Sequence, residues 1–454
     1  MISGLRYSSK TFRLLFYRNN KSRASNVCNS DPNEIDPNKH VENKMEPSTF
    51  DEIQNHSQGK ENPYYIEDGL RKVYPYYYDH LTYCKSRWAK RNLIDIYSSE
   101  FGLYPRKELE NRILSGVVKV NGEPVDLEYE LKLSDVLTSS VHRHELPVLA
   151  ASIKVIFEND NLLVIDKPPS IPVHPCGLYR YNSAVFILEQ EGKWKDLHVI
   201  HRLDRLTSGV LIFAKNVQSS REIHENFNMR DITKEYICRV EGEFPDGVVM
   251  CNKPIKHFYN KVGVALVHPK GKISITEFQK LSYNGKSSVV KCKLYTGRTH
   301  QIRAHLQYLG YPILNDSLYN SYIFGPEKGR HGKIHKSIDK LLKDLVKRLS
   351  VEWFVKDDDE EENISWNSVT DSNIVKLLFD MNCYSMNEEL LSDAYKKDPS
   401  RLYHDENCFF CTNALRDPKP SNLFMFLHAH KYKCDKWEFQ TDMPIWASDD
   451  WDIM

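Results

Sequence analysis

At 454 residues the chain exceeds one ordinary domain, and its 62 basic side chains balance 62 acidic ones, so bulk charge does not announce a nucleic-acid binder. No apolar run approaches the roughly 18 residues a membrane-spanning helix needs, which predicts a soluble chain. Ten scattered cysteines without a secretory leader point to a reducing compartment rather than a disulfide framework.

The balance hides a segregation. The first 30 residues hold no acid but six bases: Arg6, Lys10, Arg13, Arg18, Lys21 and Arg23. With LLF at 14–16, this stretch fits either a mitochondrial transit peptide or a basic tail. Residues 1–62 are rich in Asn, Ser and Lys and too poor in apolar groups to offset their ordering entropy, so disorder is expected there. EDGLRKVYPYYYDH (67–80) is a tyrosine-rich lead-in suited to packing or to base stacking.

Helical spacing follows. Leu93, Ile94 and Tyr97 mark it in TYCKSRWAKRNLIDIYSSEF (82–101), and Leu109, Ile113 and Leu114 in PRKELENRILSG (105–116), which Gly116 stops. VVKVNGEPV (117–125) predicts a hairpin, because Asn and Gly tolerate the positive φ of its turn. Two basic helices, the VNG hairpin and ELKLSDVLT (130–138) resemble the S4-like RNA-binding module, which makes Lys90 and Arg91 candidate RNA contacts in a first domain at 63–148. The alternative is a small α+β domain with a solvated basic face.

From about 152 the segments IKVIFEND, NLLVIDKP, VLIFAK, EYICRVEGEF and SVVKCKLYTG favour strands, with helical stretches such as SSREIHENFNM between them. Short links and mixed patterning predict an α+β fold: a mixed, largely antiparallel sheet with flanking helices over 152–454, not a βαβ repeat. Residues 320–405 look like an insertion. In it, KIHKSIDKLLKDLVKRLS (333–350) lines up Ile334, Ile338, Leu341, Leu342, Leu345 and Leu349 on one helical face, opposite a basic one, and the DDDEEE run at 357–362 reads as a loop. Strand pattern returns at 422–446.

Three stretches carry chemistry. In HRLDRLTSG (201–209), Asp204 stands between Arg202 and Arg205 at the mouth of an apolar strand. Neighbouring guanidinium groups favour an ionised carboxylate, which suits a nucleophile or electrostatic stabiliser better than a general acid. The Thr-Ser-Gly after it reads as a turn, and the bland alternative is a surface ion-pair cluster. In TKEYICRV (233–240), Lys234 and Tyr236 share a strand face; Tyr236 is placed to stack, donate a proton or pack. In LYTGRTHQIRAHLQYLGYPI (294–313), Arg298, His300, Gln301, Arg303 and His305 crowd a helix start, a setting for phosphate or carboxylate partners.

With IDKPPSIPVHPCG (165–177) before them, these stretches resemble the RluA-type pseudouridine synthases, four motifs in order over about 152–320 and 420–447. The tyrosine-rich lead-in, PVHPCGLYRYN and FLHAHKY…MPIWASDDW are most similar to the eukaryotic enzymes that act on uridine 32 of the tRNA anticodon loop. The resemblance implies Asp204 as the nucleophile at ribose C1′, or as the group assisting uracil departure. It implies Arg303 as its ionic partner, Tyr236 stacked on a flipped base, and Arg205 ahead of Arg202 in the vacated space. Arg298, His300 and Gln301 would lie along the RNA. A monomer acting on the tRNA anticodon stem-loop without cofactor is expected, and no dinucleotide or P-loop fingerprint is present. LNDSLYN (314–320) stands where the family usually has Gly-Asp…Tyr-Gly, and reads as a structural turn.

Rival functions are thinner. His404, Glu406, Cys408 and Cys411 mimic a zinc deaminase, but only Asn407 separates Glu406 from Cys408, whereas that chemistry needs two helices. Cys408, Cys411 and Cys434 with His428 or His430 have legitimate spacing for a structural zinc site; reduced, partly buried thiols are the alternative. A carboxylate glycosidase needs two flanking acids where the motif offers one. A non-catalytic RNA-binding protein on the same fold is the rival from another class; it would show salt-dependent binding and no product.

Overall fold

The computed structural model describes residues 62–100, 104, 106–191, 194–229, 231–259, 263–353, 377–378, 393–413, 415–419 and 422–451. The transit-peptide and disorder expectations for 1–61, and the DDDEEE loop, lie outside the described residues.

Two small antiparallel sheets come first. Strands β1 (Tyr64–Glu67) and β2 (Leu70–Val73) pair with the later β7 (Val148–Leu149). Strands β3 (Tyr76–Tyr83), β4 (Val118–Val120), β5 (Glu123–Pro124) and β6 (Val136–Arg143) form a sheet in the order β3-β6-β4-β5. Helices α1 (Leu93–Glu100) and α2 (Arg106–Leu114) bury Leu93, Ile94, Ile96, Leu109 and Ile113 with Trp88, Val118 and Leu137. The first helix thus starts at 93 rather than 82, because Thr82 and Tyr83 complete β3 and turns follow. The hairpin turn is as expected, with Asn121 at φ +54° and Gly122 at +84°. The tyrosine cluster divides: Tyr64, Tyr65 and Tyr74 are buried, while β3 alternates and leaves Tyr77 and Tyr83 exposed.

The second part of the chain builds the main sheet from β8 (Lys154–Glu158), β9 (Leu162–Lys167), β10 (His198–Val199), β11 (Ser208–Ala214), β12 (Thr233–Glu241), β13 (Val248–Cys251), β16 (Thr276–Tyr283), β17 (Ser287–Leu294), β18 (Leu427–Lys433) and β19 (Glu438–Gln440). Between β13 and β16, β14 (Ile255–Tyr259) and β15 (Val264–Val267) form a separate hairpin. The order is β13-β16-β17-β12-β18-β11-β9-β8, with β10 on β11 and β19 on β18. Of its strand pairs only β11 and β18 run parallel. The mixed, largely antiparallel α+β fold is therefore present, and the C-terminal β18 lies at the sheet's centre.

That central seam explains one glycine. Gly209 opposes Ala429 at φ +106°, and an added Cβ would lie 2.3 Å from the Ala429 carbonyl oxygen. Only glycine tolerates both the dihedral and the approach. Ser208 and Gly209 are accordingly strand, not turn; the turn is Asp204–Thr207, closed by Thr207 N–H to the Asp204 carbonyl at 3.0 Å.

Helices α3 (Ala184–Gln190), α4 (Val217–Met229), α5 (Gln301–Leu309), α6 (Ile338–Trp353) and the short α7 (Phe409–Thr412) complete the set used here. Helix α6 begins at 338 rather than 333 and buries Leu341 and Leu345 against Ala304, Tyr319 and Phe324. The opening of the proposed insertion is thus packed onto α5. No helix among the described residues is long and apolar enough to cross a membrane.

Candidate active site

A cavity of about 500 Å³ opens where the 201–207 loop, β12 and the start of α5 converge. Asp204, Arg202, Arg205, Lys234, Tyr236, Arg298, His300, Gln301 and Arg303 all line it, so residues from three separate motifs meet. Among the described residues that line it, Asp204 is the only carboxylate. Lys90 and Arg91 do not line it; they sit in the turn before α1, where Arg91 donates to Ser99 Oγ at 2.9 Å.

The loop carrying Asp204 is held from beneath. The fully buried Lys167 ammonium, at the end of β9, donates to the carbonyls of Pro168 (2.7 Å), Ile171 (2.8 Å) and Arg205 (3.2 Å). Three carbonyls around one desolvated ammonium tie the motif at 165–177 to the turn after Asp204. His201 Nε2 accepts the Ile212 N–H at 3.1 Å, which leaves its imidazole neutral; burial pushes it down to about 3.

Arg303 approaches Asp204 from α5, Nη1 to Oδ2 at 3.2 Å. Its stronger partner is one the sequence reading missed. Asp316 takes Nε at 2.7 Å and Nη2 at 2.9 Å, a bidentate fork in a fully buried setting. Burial opposes charge on Asp316, yet the Arg303 guanidinium and the N–H groups of Leu318 and Tyr319 hold its carboxyl below the usual range. Burial likewise opposes charge on Arg303, and Asp316, then Asp204, overcome it. Asp316 therefore fixes the guanidinium and leaves its Nη1 group facing Asp204. The signal was present in LNDSLYN: an Asp accepting backbone N–H groups two and three residues on is a recognised turn device. What the turn carried was not legible.

Tyr319, three residues on, orders His300. Its hydroxyl donates to the Ala265 carbonyl (2.8 Å), accepts the Ala265 N–H (3.0 Å), and meets His300 Nδ1 at 3.0 Å. With its one proton given away, it accepts from Nδ1–H, which assigns the tautomer from the network. Burial lowers His300 to about 4 despite the pull of Asp204, so the ring is neutral and presents a bare Nε2 beside Asp204 Oδ2, 3.6 Å away. His300 also caps α5 at φ +55°, a conformation costing about 1–2 kcal/mol that recurs at functional sites.

On the facing strand, Lys234 and Tyr236 both reach the cavity, as period-two alternation requires, beside a bulge at Glu235/Tyr236 in the pairing with β18. The Tyr236 hydroxyl makes a short hydrogen bond to that of Tyr432 from β18. Burial pushes the Tyr236 phenol well above its ordinary value, so it keeps its proton at neutral pH. Tyr432 was not foreseen; it lies opposite Lys234, and the register shift at Glu235/Tyr236, which breaks the period of HAHKYK, brings it to the same face as Tyr236.

Two candidates act on the wall instead. Gln301 accepts from Thr296 Oγ1 (2.8 Å) and the Arg298 N–H (3.0 Å), and donates to the Ile275 carbonyl and Thr276 Oγ1, so its amide is fully engaged in the scaffold. His305 bonds Thr276 Oγ1 and the Lys253 carbonyl, away from any ligand. Arg202 stands toward solvent, Arg298 is half-buried and donates its Nε to the Ile273 carbonyl at 3.2 Å, and Arg205 lies 5.7 Å from the Tyr179 ring centre. The zinc set weighed against reduced thiols does not assemble: His428 is bonded to Ser208 and Thr441, and Cys434 N–H closes the β18–β19 hairpin turn on Trp437. Cys408 and Cys411 gather instead with His142 and His144.

A carboxylate, an arginine clamp and a buried tyrosine thus meet in a cavity of nucleotide size. Residues 161–308 match the family of RNA pseudouridylate synthases, and the chain belongs to that family, in its RluA branch, and is an isomerase. Its relatives include "Pseudouridylate synthase RPUSD2" of Mus musculus, 46% identical over 86% of this chain and 74% of that protein, and its Homo sapiens counterpart, 45% identical over 86% and 76%. "tRNA pseudouridine(32) synthase, mitochondrial" of Saccharomyces cerevisiae is 36% identical over 84% of this chain and 78% of that protein.

Proposed function

We propose that this chain converts uridine to pseudouridine in the tRNA anticodon loop, at position 32, with Asp204 as the group that acts at ribose C1′. The observation that carries the reading is the lone cavity carboxylate, 3.2 Å from a guanidinium that Asp316 locks in place. A carboxylate so held suits attack on C1′, or stabilisation of positive charge there while uracil leaves. The detached uracil anion then turns within the cavity, and C5 bonds to C1′ as any Asp204–C1′ bond breaks; C5 loses its proton to solvent and N1 takes one up, so the product is an isomer. Tyr236 offers its ring face to the base and a hydroxyl wired to Tyr432. The uridine must leave its stack first, at a few kcal/mol, less in a loop than in a duplex. Arg205 fills the space it vacates, and Arg202 and Arg298 meet flanking phosphates. Lys90 and Arg91, in an S4-like module, extend the RNA contact to the stem.

The yeast relative named for position 32 supports the site assignment, and its mitochondrial name, with the acid-free basic start of this chain, supports a mitochondrial tRNA. The test is incubation of the protein and of Asp204→Asn with an unmodified tRNA transcript, with carbodiimide-blocked primer extension as readout. The expected result is a stop at 32 that the variant loses, with a rate fall on the order of 10³-fold or more. A stop at another position overturns the site assignment and leaves the enzyme. Tight binding without any stop overturns catalysis itself and favours the RNA-binding rival.

A further inference from the structure

Outside the catalytic cavity, one cluster of side chains has the composition and spacing of a metal site. Strand β6 ends at His142 and Arg143, and His144 follows; the other two members, Cys408 and Cys411, lie at the start of α7, 266 residues beyond His142. His142 Nδ1 and His144 Nε2 are 3.3 Å apart, and Cys411 Sγ is 3.4 Å from the first and 3.3 Å from the second. The ligand atoms of all four residues lie within 4.8 Å of one another, and His142 and Cys408 are buried.

A Cys411 thiol that accepts from one imidazole and donates to the other would pair these groups, but it would leave the near-equal spacing of all three atoms unexplained. A central tetrahedral ion accounts for that spacing. With bonds of about 2.3 Å to sulfur and about 2.0–2.1 Å to nitrogen, the edges of the tetrahedron come to about 3.3 Å for N···N and about 3.5 Å for N···S. The observed edges match both within a few tenths of an ångström.

Backbone groups hold both sulfurs in place: the Asp405 N–H reaches Cys411 Sγ at 3.4 Å, and Cys408 Sγ lies 3.5 Å from the His142 carbonyl. Cys-x-x-Cys closes its own tight turn, with the Cys411 N–H on the Cys408 carbonyl at 3.1 Å.

We propose that His142 Nδ1, His144 Nε2, Cys408 Sγ and Cys411 Sγ bind a structural zinc ion that fastens the segment after the insertion to the N-terminal four-stranded sheet. Joining residues so distant in sequence restricts the unfolded chain strongly. The clasp also backs the cavity wall: Cys408 and Phe410 pack with Leu146 and Leu178, next to Tyr179, over which the Arg205 guanidinium lies. All four positions are filled by protein, which leaves no open coordination site and makes the ion structural rather than catalytic.

The full-length protein, purified without chelator, should contain about one zinc per chain by mass spectrometry of the metal. Cys408→Ser and Cys411→Ser should lose it, and Cys434→Ser should keep it. Exchange for cobalt(II) should give the visible bands of a tetrahedral ion with sulfur charge transfer. His144→Cys keeps four ligands and adds a thiolate, so it should retain the metal with stronger charge transfer, which separates loss of coordination from loss of fold. Wild-type protein that carries no zinc and yields no cobalt spectrum after reduction would overturn the proposal. So would zinc that survives both cysteine variants, or that leaves with Cys434→Ser.

Discussion

The clusters around Asp204 and around Cys411 are built from the same kind of material, polar groups gathered from distant parts of the chain, yet they are finished differently. In the first, the buried polar groups find partners within the protein: Arg303 with Asp316 and Asp204, the neutral His300 with Tyr319, Lys167 with three carbonyls. In the second, the ligand atoms of two imidazoles and two thiols converge within 4.8 Å of one another. A catalytic site is complete before its substrate arrives, because preorganised charge needs no rearrangement at the moment of reaction. A structural metal site is incomplete without its ion, which is why the ion stabilises the fold.

The largest disturbance of that self-sufficiency is Asp316→Ala. It leaves a buried guanidinium without its fork, a loss expected to cost about 3–5 kcal/mol in urea unfolding. Product formation should collapse as well, although Asp316 never touches the RNA. A stability within about 1 kcal/mol of wild type would show that Asp204 alone suffices for Arg303.

Acid is the next lever, since burial holds His300 at about 4 and His428 at about 3. Both folded values lie below the ordinary 6.5, so the unfolded chain takes up protons first. Their stabilisation is complete above about pH 6.5 and declines as pH falls toward 4, by about 2 kcal/mol per histidine at pH 5. Thermal melting across pH 8 to 4.5 should show a plateau and then a fall, and His428→Gln should flatten the fall. Melting temperatures unchanged down to pH 4.5 would contradict a neutral, buried pair.

The smallest effect concerns the rim, where Arg202 is exposed and makes no ion pair among the described residues. Arg202→Gln should leave stability unchanged, weaken tRNA binding by roughly 1 kcal/mol, and reduce the slope of log affinity against log salt by about 1. An unaltered slope would remove Arg202 from the RNA interface.

Local patterning settled much by itself. Strand periodicity placed Lys234 and Tyr236 on one face, the Asn-Gly pair fixed a hairpin, and the cationic setting of Asp204 marked it before any fold was known. Each of these depends on residues within a few positions of one another, the range over which backbone dihedrals and strand alternation act. Tertiary structure decided the rest. Asp316 was hidden in a turn because its value lies in a guanidinium brought from α5. Gln301 looked like a ligand contact, and the fold used all its hydrogen-bonding capacity in the wall. Cys408 and Cys411 announced a thiol pair, but sequence spacing pointed to Cys434, and only the pairing of β3 with β6 delivered His142 and His144. Spacing along a chain constrains local ligands; closure of a loop of more than 250 residues is set by packing, and leaves no trace in the spacing.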